Sequence, residues 1–322
     1  MRAIRAEKQG GPEVMQLVDV ATPKPGAGQV LIRVEAAGVN FIDIYQRSGV
    51  YVVPLPLSMG LEGAGTIEEL GGGVEGLKTG MRVAWAHVQG SYATHLVAPA
   101  EKLVAVPEGV SPQLAAAIML QGSTAHYLVN DTFPLQAGQT CLVHAAAGGV
   151  GLILCQLAKK KGARIIGTVG NEEKAALARG AGADELVIYA RQDFEAEARR
   201  ITGGKGVDVV YDSVGKDTWE RSLRSLRPRG MMVLFGQSSG AVPPINPQLL
   251  NQHGSLFFTR PSLVHYTATR AELLGRATAL FGLIRDGKLS VRIGATVPLA
   301  QAAQAHEMLA ARKTTGKVLL QP

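Results

Sequence analysis

Ala145-Ala146-Ala147-Gly148-Gly149-Val150-Gly151 follows an apolar run, Thr140 to His144, and precedes a segment that carries Ile153, Leu154, Leu157 and Ala158 on one helical face. A strand before and a helix after make this stretch a dinucleotide-phosphate turn of Rossmann spacing, with Ala146, Gly148 and Gly151 at the three small-residue positions. Small residues there allow a tight turn, bring backbone N–H groups close to a pyrophosphate, and let the helix pack on the strand. The helix points its positive end at the phosphates. Its negative end carries Lys159, Lys160 and Lys161 followed by Gly162, the basic and capping residues such an end favours.

About 20 residues beyond the glycines, an NAD site places a carboxylate that accepts from the ribose hydroxyls. Here the second strand, Arg164 to Val169, runs into Gly170-Asn171-Glu172-Glu173-Lys174 with no acid at its end. Gly170, Asn171 and Lys174 accommodate and neutralise a 2′-phosphate that a carboxylate would repel, which favours NADPH. Glu172 and Glu173 read as first-turn acids of the next helix. Lys174 reads equally well as a phosphate ligand or as a solvated helix residue.

Strand and helix alternate through the middle of the chain. Strands are predicted at Cys141–His144, Arg164–Val169, Leu186–Tyr189, Val207–Asp212, Met231–Gly236 and Ser255–Arg260, enough for a doubly wound parallel sheet. The first third is rich in Gly, Pro and Val, with short alternating runs such as Gln29–Glu35 and Gly80–Trp85 between turn clusters, which predicts an irregular, mainly β domain. From Pro112 the pattern turns helical: one helix to Leu120, capped by Ser111, and a second over Ser123–Asn130. A helix over Arg270–Asp286, then strand, helix and strand at Ala295–Val297, Leu299–Leu309 and Lys317–Leu320, return to the first domain. The expected division is 1–123 with 268–322 as the mainly β domain and 124–267 as the Rossmann domain.

With 322 residues and 46% hydrophobic content, the chain is globular and too long for one ordinary core. Met1-Arg2-Ala3-Ile4-Arg5 enters a strand-like pattern without a signal segment, and no apolar run is long enough to span a bilayer, so a cytoplasmic location is expected. The two cysteines, Cys141 and Cys155, lie in the first Rossmann strand and helix and suit buried free thiols better than a disulfide. A formal net charge of +7 suits anionic ligands but is diffuse. Its densest stretch, Arg221–Arg229, alternates with leucines and reads as a helix with one wet face rather than a nucleic-acid groove.

Several longer words carry a resemblance over the whole chain. They are Ala36 through Gly49, Gly60-Leu61-Glu62-Gly63-Ala64-Gly65, His144 through Gly151, Tyr211-Asp212-Ser213-Val214-Gly215, Phe235 through Gly240, and Thr259-Arg260-Pro261-Ser262-Leu263. The chain resembles the zinc-free medium-chain dehydrogenase/reductases, and among them the NADPH:quinone oxidoreductases of the zeta-crystallin type. The resemblance implies a GroES-like β domain beside the Rossmann sheet. Zinc members have a cysteine where this chain has Asn40 and a histidine where it has Leu61, so two of the three protein ligands that a catalytic zinc requires are replaced. His87, His95, His126 and His144 match no metal spacing and read as structural histidines, so no metal is expected.

A substrate reduced without a strong Lewis acid is one conjugated to a carbonyl, and a quinone fits. The expected activity is NADPH-dependent quinone reduction by hydride or single-electron transfer, with the cofactor between the domains. The resemblance implies that Asn40, Phe41, Asp43 and Tyr45 face the nicotinamide end, with Thr124 and Tyr127 beneath it. Gly148, Gly149, Val150 and Gly151 hold the pyrophosphate. Gly170, Lys174 and Tyr189 match positions that bind the 2′-phosphate, with Asn171 where serine or threonine is common. Val214, Phe235, Ser238, Ser239 and Arg260 lie along the rest of the cofactor. Tyr45 and Tyr51 are the candidate proton donors, or else they only line a pocket.

Two other readings stay open: an enal or enoyl-thioester double-bond reductase, and a non-enzymatic role, structural as in lens crystallins or RNA-binding. The basic pI allows RNA, although no stacking platform is visible. The resemblance also implies a homodimer joined near Ser255–Leu263, where Phe257 and Phe258 form either a pairing edge or monomer core.

Overall fold

The computed structural model describes residues 1–322 as two units, Met1–Ser123 with Thr267–Pro322, and Thr124–Tyr266.

The first unit is mainly β. Its longest strand, Gln29–Val39, alternates buried Val30, Ile32 and Val34 with more exposed neighbours and pairs antiparallel with Glu62–Leu70, His95–Pro99 and Lys317–Gln321. The sheet runs Ile293–Pro298, Lys317–Gln321, Gln29–Val39, Glu62–Leu70, Arg82–Ala86, Val104–Ala105, with only the first pair parallel. Register shifts between Leu31 and Ile32 and between Val34 and Ala36 bend the long strand, as bulges do in irregular barrels. A second sheet joins Gln16–Asp19, Arg2–Ala6 and Leu57–Ser58. Two apolar cores result, one around Trp85, Ile67 and Leu103, the other around Met59, Tyr92 and Leu320. Where Gln29–Val39 ends, Asn40 begins the helix Phe41–Ser48, and Gly49 closes it in the left-handed region.

The second unit is the doubly wound sheet. Taking its strands in chain order as Thr140–Val143, Arg164–Val169, Glu185–Ile188, Val207–Asp212, Leu226–Leu234 and Phe257–Thr259, the spatial order is third, second, first, fourth, fifth, sixth, all parallel. The order reverses between the first and fourth strands, the switch point at whose carboxyl side such sheets bind ligands. Leu142, Ile166, Val187, Val210 and Met232 fill one face of the sheet with Phe194, Trp219 and Leu223 from covering helices.

Two expectations are corrected. Pro112–Tyr127 is one continuous helix, followed by a π turn at Leu128–Thr132, not two helices. Gly122 does not break it, because Ala115 to Met119 and Ala125 are fully buried and their packing outweighs about 1 kcal/mol of glycine propensity. Arg221–Arg229 is not one helix: Trp219–Ser225 is helical, and Leu226–Leu234 is the fifth strand, whose register against Val207–Asp212 claims the rest of the stretch. No helix is long and apolar enough to cross a membrane.

Candidate dinucleotide and reduction site

In the second unit, the chain leaves Thr140–Val143 through His144 and turns at Ala145, whose φ of 51° is left-handed. Gly148 N–H donates to Ala145 O at 2.8 Å, and Gly148 then caps the helix Gly149–Lys160. No acid occupies that helix's first turn, and Lys159 and Lys160 stand in its last, so the end facing the turn is open to an anion. A β-carbon on Gly151 would lie 2.3 Å from Ala145 O, so the helix can approach the turn this closely only with glycine there.

The buried network behind the turn is structural. His144 has Thr168 Oγ1 at 3.0 Å from Nδ1 and Ser222 Oγ at 2.9 Å from Nε2, and Ser222 donates to Asp212. Burial lowers the His144 pKa, so the ring is neutral. Asp212 also accepts the Val214 and Gly215 N–H groups, at 2.7 and 3.0 Å, which shapes the loop after the fourth strand. That loop is laced to the one after the fifth: Ser239 Oγ and N–H both donate to Val214 O, Ser238 N–H to Ser213 O, and Phe235 N–H to Asp212 O. Arg260 donates to Leu234 O at 3.3 Å. Val214, Phe235, Ser238, Ser239 and Arg260 therefore gather at the carboxyl ends of adjacent strands.

At the end of the second strand, Gly170 lies under the Tyr189 hydroxyl. Asn171 caps the helix Glu172–Gly180, its Oδ1 accepting from Lys174 N–H at 2.9 Å. Glu172 is engaged with Arg191. Thr124 and Tyr127 are buried, and the Tyr127 ring stacks on Tyr266 with centroids 4.2 Å apart.

In the first unit, helix Phe41–Ser48 presents two different sides. Phe41 and Tyr45 are half-buried and form an aromatic run with Tyr51, the Tyr45 and Tyr51 rings meeting edge to face at 5.4 Å. Asn40 and Asp43 are instead buried. Asp43 Oδ2 accepts from Asn40 N–H at 2.8 Å and from the Tyr92 hydroxyl at 2.9 Å, and that hydroxyl lies 3.2 Å from His306 Nε2. Burial pushes the Asp43 carboxyl up to about 7 and holds His306 down to about 3. The Asn40 side chain donates to Glu62 and to Gly38 O, and accepts from Lys317 Nζ at 2.8 Å and Gln121 at 3.2 Å.

Sequence reasoning missed Glu62, Tyr92, Lys317 and His306 as members of this cluster. The available signal was ionisable residues set inside otherwise apolar strands, as in Lys317-Val318-Leu319-Leu320.

The other histidines stand apart. Burial lowers His87 to about 4, and His95 faces Glu68 at 3.3 Å. No three His, Cys, Asp or Glu residues converge as a metal set. Cys141 and Cys155 are buried free thiols, both with pKa values raised by burial, Cys155 to about 12.

Two family models match the chain, an alcohol dehydrogenase GroES-like domain over residues 26–108 and a zinc-binding dehydrogenase over 149–273. The zinc in the second description does not fit the residues present. Asn40 and Leu61 stand where the resemblance would place two zinc ligands, the Asn40 amide has all its hydrogen bonds made, and an ammonium lies against Glu62.

Among relatives, a quinone oxidoreductase of Pseudomonas aeruginosa is 47% identical over 323 residues, covering 100% of this chain and 99% of that protein. A 2-haloacrylate reductase of a Burkholderia species is 43% identical, covering 98% and 97%. A crystal structure of Escherichia coli quinone oxidoreductase complexed with NADPH superimposes with a TM-score of 0.98 at 46% identity, covering 100% of both chains. This chain belongs to the medium-chain dehydrogenase/reductases, in the zeta-crystallin-like family of NADPH:quinone oxidoreductases.

Proposed function

We propose that the chain is an NADPH-dependent quinone reductase. The observation that carries this reading is the pairing of an anion-ready turn at Gly148–Gly151 with a second strand that ends in Gly170 under Tyr189, not in an acid. The Escherichia coli relative bound to NADPH supports it.

In this reading Gly148, Gly149, Val150 and Gly151 hold the pyrophosphate, and Gly170, Lys174 and Tyr189 receive the 2′-phosphate, with Asn171 capping the helix that carries Lys174. Val214, Phe235, Ser238, Ser239 and Arg260 border the remainder. Thr124 and Tyr127 support the nicotinamide end, to which Asn40, Phe41, Asp43 and Tyr45 belong. Reduced nicotinamide, when bound, supplies the hydride equivalent. The chain's own residues align a ring that is already electrophilic, and Tyr45 and Tyr51 provide hydroxyls for the oxygen that gains charge. Asn40 and Asp43, with buried side chains, act by holding the helix that carries Phe41 and Tyr45.

Two copies pair along the sixth strand. Phe257–Thr259 ends the six-stranded order, and Phe257 is 56% exposed on that edge. The two buried free thiols suit the reducing cytoplasm.

A second reading, reduction of a carbonyl-conjugated double bond, is favoured by the 43% identical 2-haloacrylate reductase. The test is NADPH oxidation with 1,4-benzoquinone, 9,10-phenanthrenequinone, an enal and crotonyl-CoA in parallel, each repeated with NADH. Quinone turnover with NADPH preference is expected. Turnover confined to the enal or thioester moves the assignment to the second reading, and no turnover with any acceptor defeats both.

A further inference from the structure

The first unit contains one ion pair cut off from water. The Lys317 and Glu62 side chains, 1% and 0% exposed, meet through Nζ and Oε2. Desolvating both ions is so costly that an apolar pair of similar volume often stabilises a fold as well or better, so stability alone does not account for this pair.

Topology brings the charges together at one point. Lys317 opens the last strand, whose next residue, Val318, pairs with Val39, and Glu62 opens its strand opposite Gly38. Both therefore reach the junction where Gln29–Val39 hands over to helix Phe41–Ser48, and Asn40 is that junction. Its Oδ1 accepts from Lys317 Nζ at 2.8 Å and Gln121 Nε2 at 3.2 Å, and its Nδ2 donates to Glu62 Oε2 at 2.8 Å and Gly38 O at 3.3 Å. An asparagine amide makes four such bonds, and all four are made here. Glu62 is held in turn by Leu120 N–H at 2.6 Å.

We propose that Lys317 is a positioning residue: its ammonium is the fixed internal cation of this site, and through Asn40 and Glu62 it sets the helix that presents Phe41 and Tyr45. The role in turnover rests on the quinone-reductase reading above. A lysine ammonium supplies charge and three directed donors without an open coordination position. It balances Glu62 and orients Asn40, and it leaves polarisation of the substrate to other groups. A divalent cation brought to the same donors would face this ammonium at hydrogen-bonding range, with leucine at position 61.

The test compares the wild type with Lys317→Met and with the double variant Glu62→Gln/Lys317→Met. The single variant leaves a buried carboxylate unpaired and is expected to melt well below the wild type. The double variant removes both charges, so its melting midpoint is expected near that of the wild type. If Lys317 positions Asn40, the double variant still loses at least about tenfold in kcat, while the NADPH dissociation constant and the quinone KM stay within about threefold. With 3-fluorotyrosine labelling, the Tyr45 and Tyr51 resonances move in the double variant and that of Tyr211, buried in the other unit, does not. Recovery of melting together with full kcat and unmoved resonances would overturn the proposal. Stoichiometric Co²⁺ uptake by the wild type, with ligand-field absorption lost on substituting Glu62, would overturn the fixed-cation assignment. An inert wild type would defeat the quinone-reductase reading alone, since the resonances and the cobalt titration still decide the role of Lys317.

Discussion

The Tyr189 hydroxyl stands over Gly170 so closely that a β-carbon at position 170 would lie 3.0 Å from that oxygen. Gly170 follows the second strand of the parallel sheet and Tyr189 the third, so their proximity is a consequence of the Arg164–Val169 and Glu185–Ile188 pairing. The second strand therefore ends in a residue with no side chain, beneath a phenol hydroxyl.

Gly170→Asp tests that arrangement. Tyr189 is 50% exposed and can swing aside, so the new carboxylate is tolerated, but it repels a 2′-phosphate and accepts from a ribose hydroxyl. The expected result is a fall in kcat/KM for NADPH of about 10- to 100-fold, the worth of one charge-assisted contact, and a rise for NADH. Lys174→Ala is expected to raise the KM for NADPH about tenfold and leave that for NADH nearly unchanged. Equal effects on both cofactors in steady-state kinetics would remove these residues from the 2′-phosphate site.

The turn itself separates two roles of glycine. At Gly151 an added β-carbon would meet Ala145 O at 2.3 Å and Ala146 C at 2.8 Å, both backbone atoms that cannot yield without moving the turn. At Gly148 the only neighbour is Ala145 O, at 3.1 Å. Gly151→Ala is therefore expected to lower the melting midpoint by a few degrees, in keeping with about 1–3 kcal/mol for overpacking. Gly148→Ala is expected to melt within about a degree of the wild type while NADPH affinity, measured by fluorescence titration, falls about tenfold or more, because the side chain intrudes on the phosphate side. The reverse ranking would mean that the phosphates lie elsewhere.

Much of the second unit was legible because its strands are short apolar runs bounded by glycine and polar turns. Arg164–Val169 and Val207–Asp212 match the sequence reading to the residue. Leu226-Arg227-Pro228-Arg229 was misread because alternating leucine and arginine fits a wet-faced helix as well as a strand, and only pairing with Val207–Asp212 decides between them. The turn at Ala145–Gly151 was legible because its chemistry is local. The Glu62–Lys317 pair was not, since the two residues lie 255 positions apart and meet only through strand pairing with Gln29–Val39.

The exposed edge makes a separate, physical claim. Phe257 projects from the last strand of the parallel sheet, and an unpaired edge carrying a large apolar side chain is a surface that a second copy can cover. Phe257→Asp is expected to convert a dimer to a monomer in sedimentation velocity with little change in the far-ultraviolet circular dichroism. A wild type that sediments as a monomer, or a variant that stays dimeric, would place the interface elsewhere or remove it.

The buried carboxyl of Asp43 makes stability depend on pH in a sense opposite to that of the buried histidines. Burial raises its folded pKa to about 7, against 3.8 when unhindered, so the folded state holds the proton more tightly than the unfolded chain. Its contribution to stability is then fully present below pH 3.8 and is lost as pH rises to about 7, at up to ~1.4 kcal/mol per pH unit. His306 and His87 act in the opposite sense. Held down to about 3 and 4, they contribute stability above their ordinary value of 6.5 that is lost as pH falls through the folded values. Asp43→Asn keeps an acceptor for Asn40 N–H and the Tyr92 hydroxyl and removes the titration, and both histidines are common to the two proteins. The stability of the variant relative to the wild type, from denaturant melts, is therefore expected to increase between pH 5 and 7 and to level off above 7. A difference that does not change with pH would show that the Asp43 carboxyl is ionised throughout, and the buried cluster would then have to hold two carboxylates against the one ammonium of Lys317.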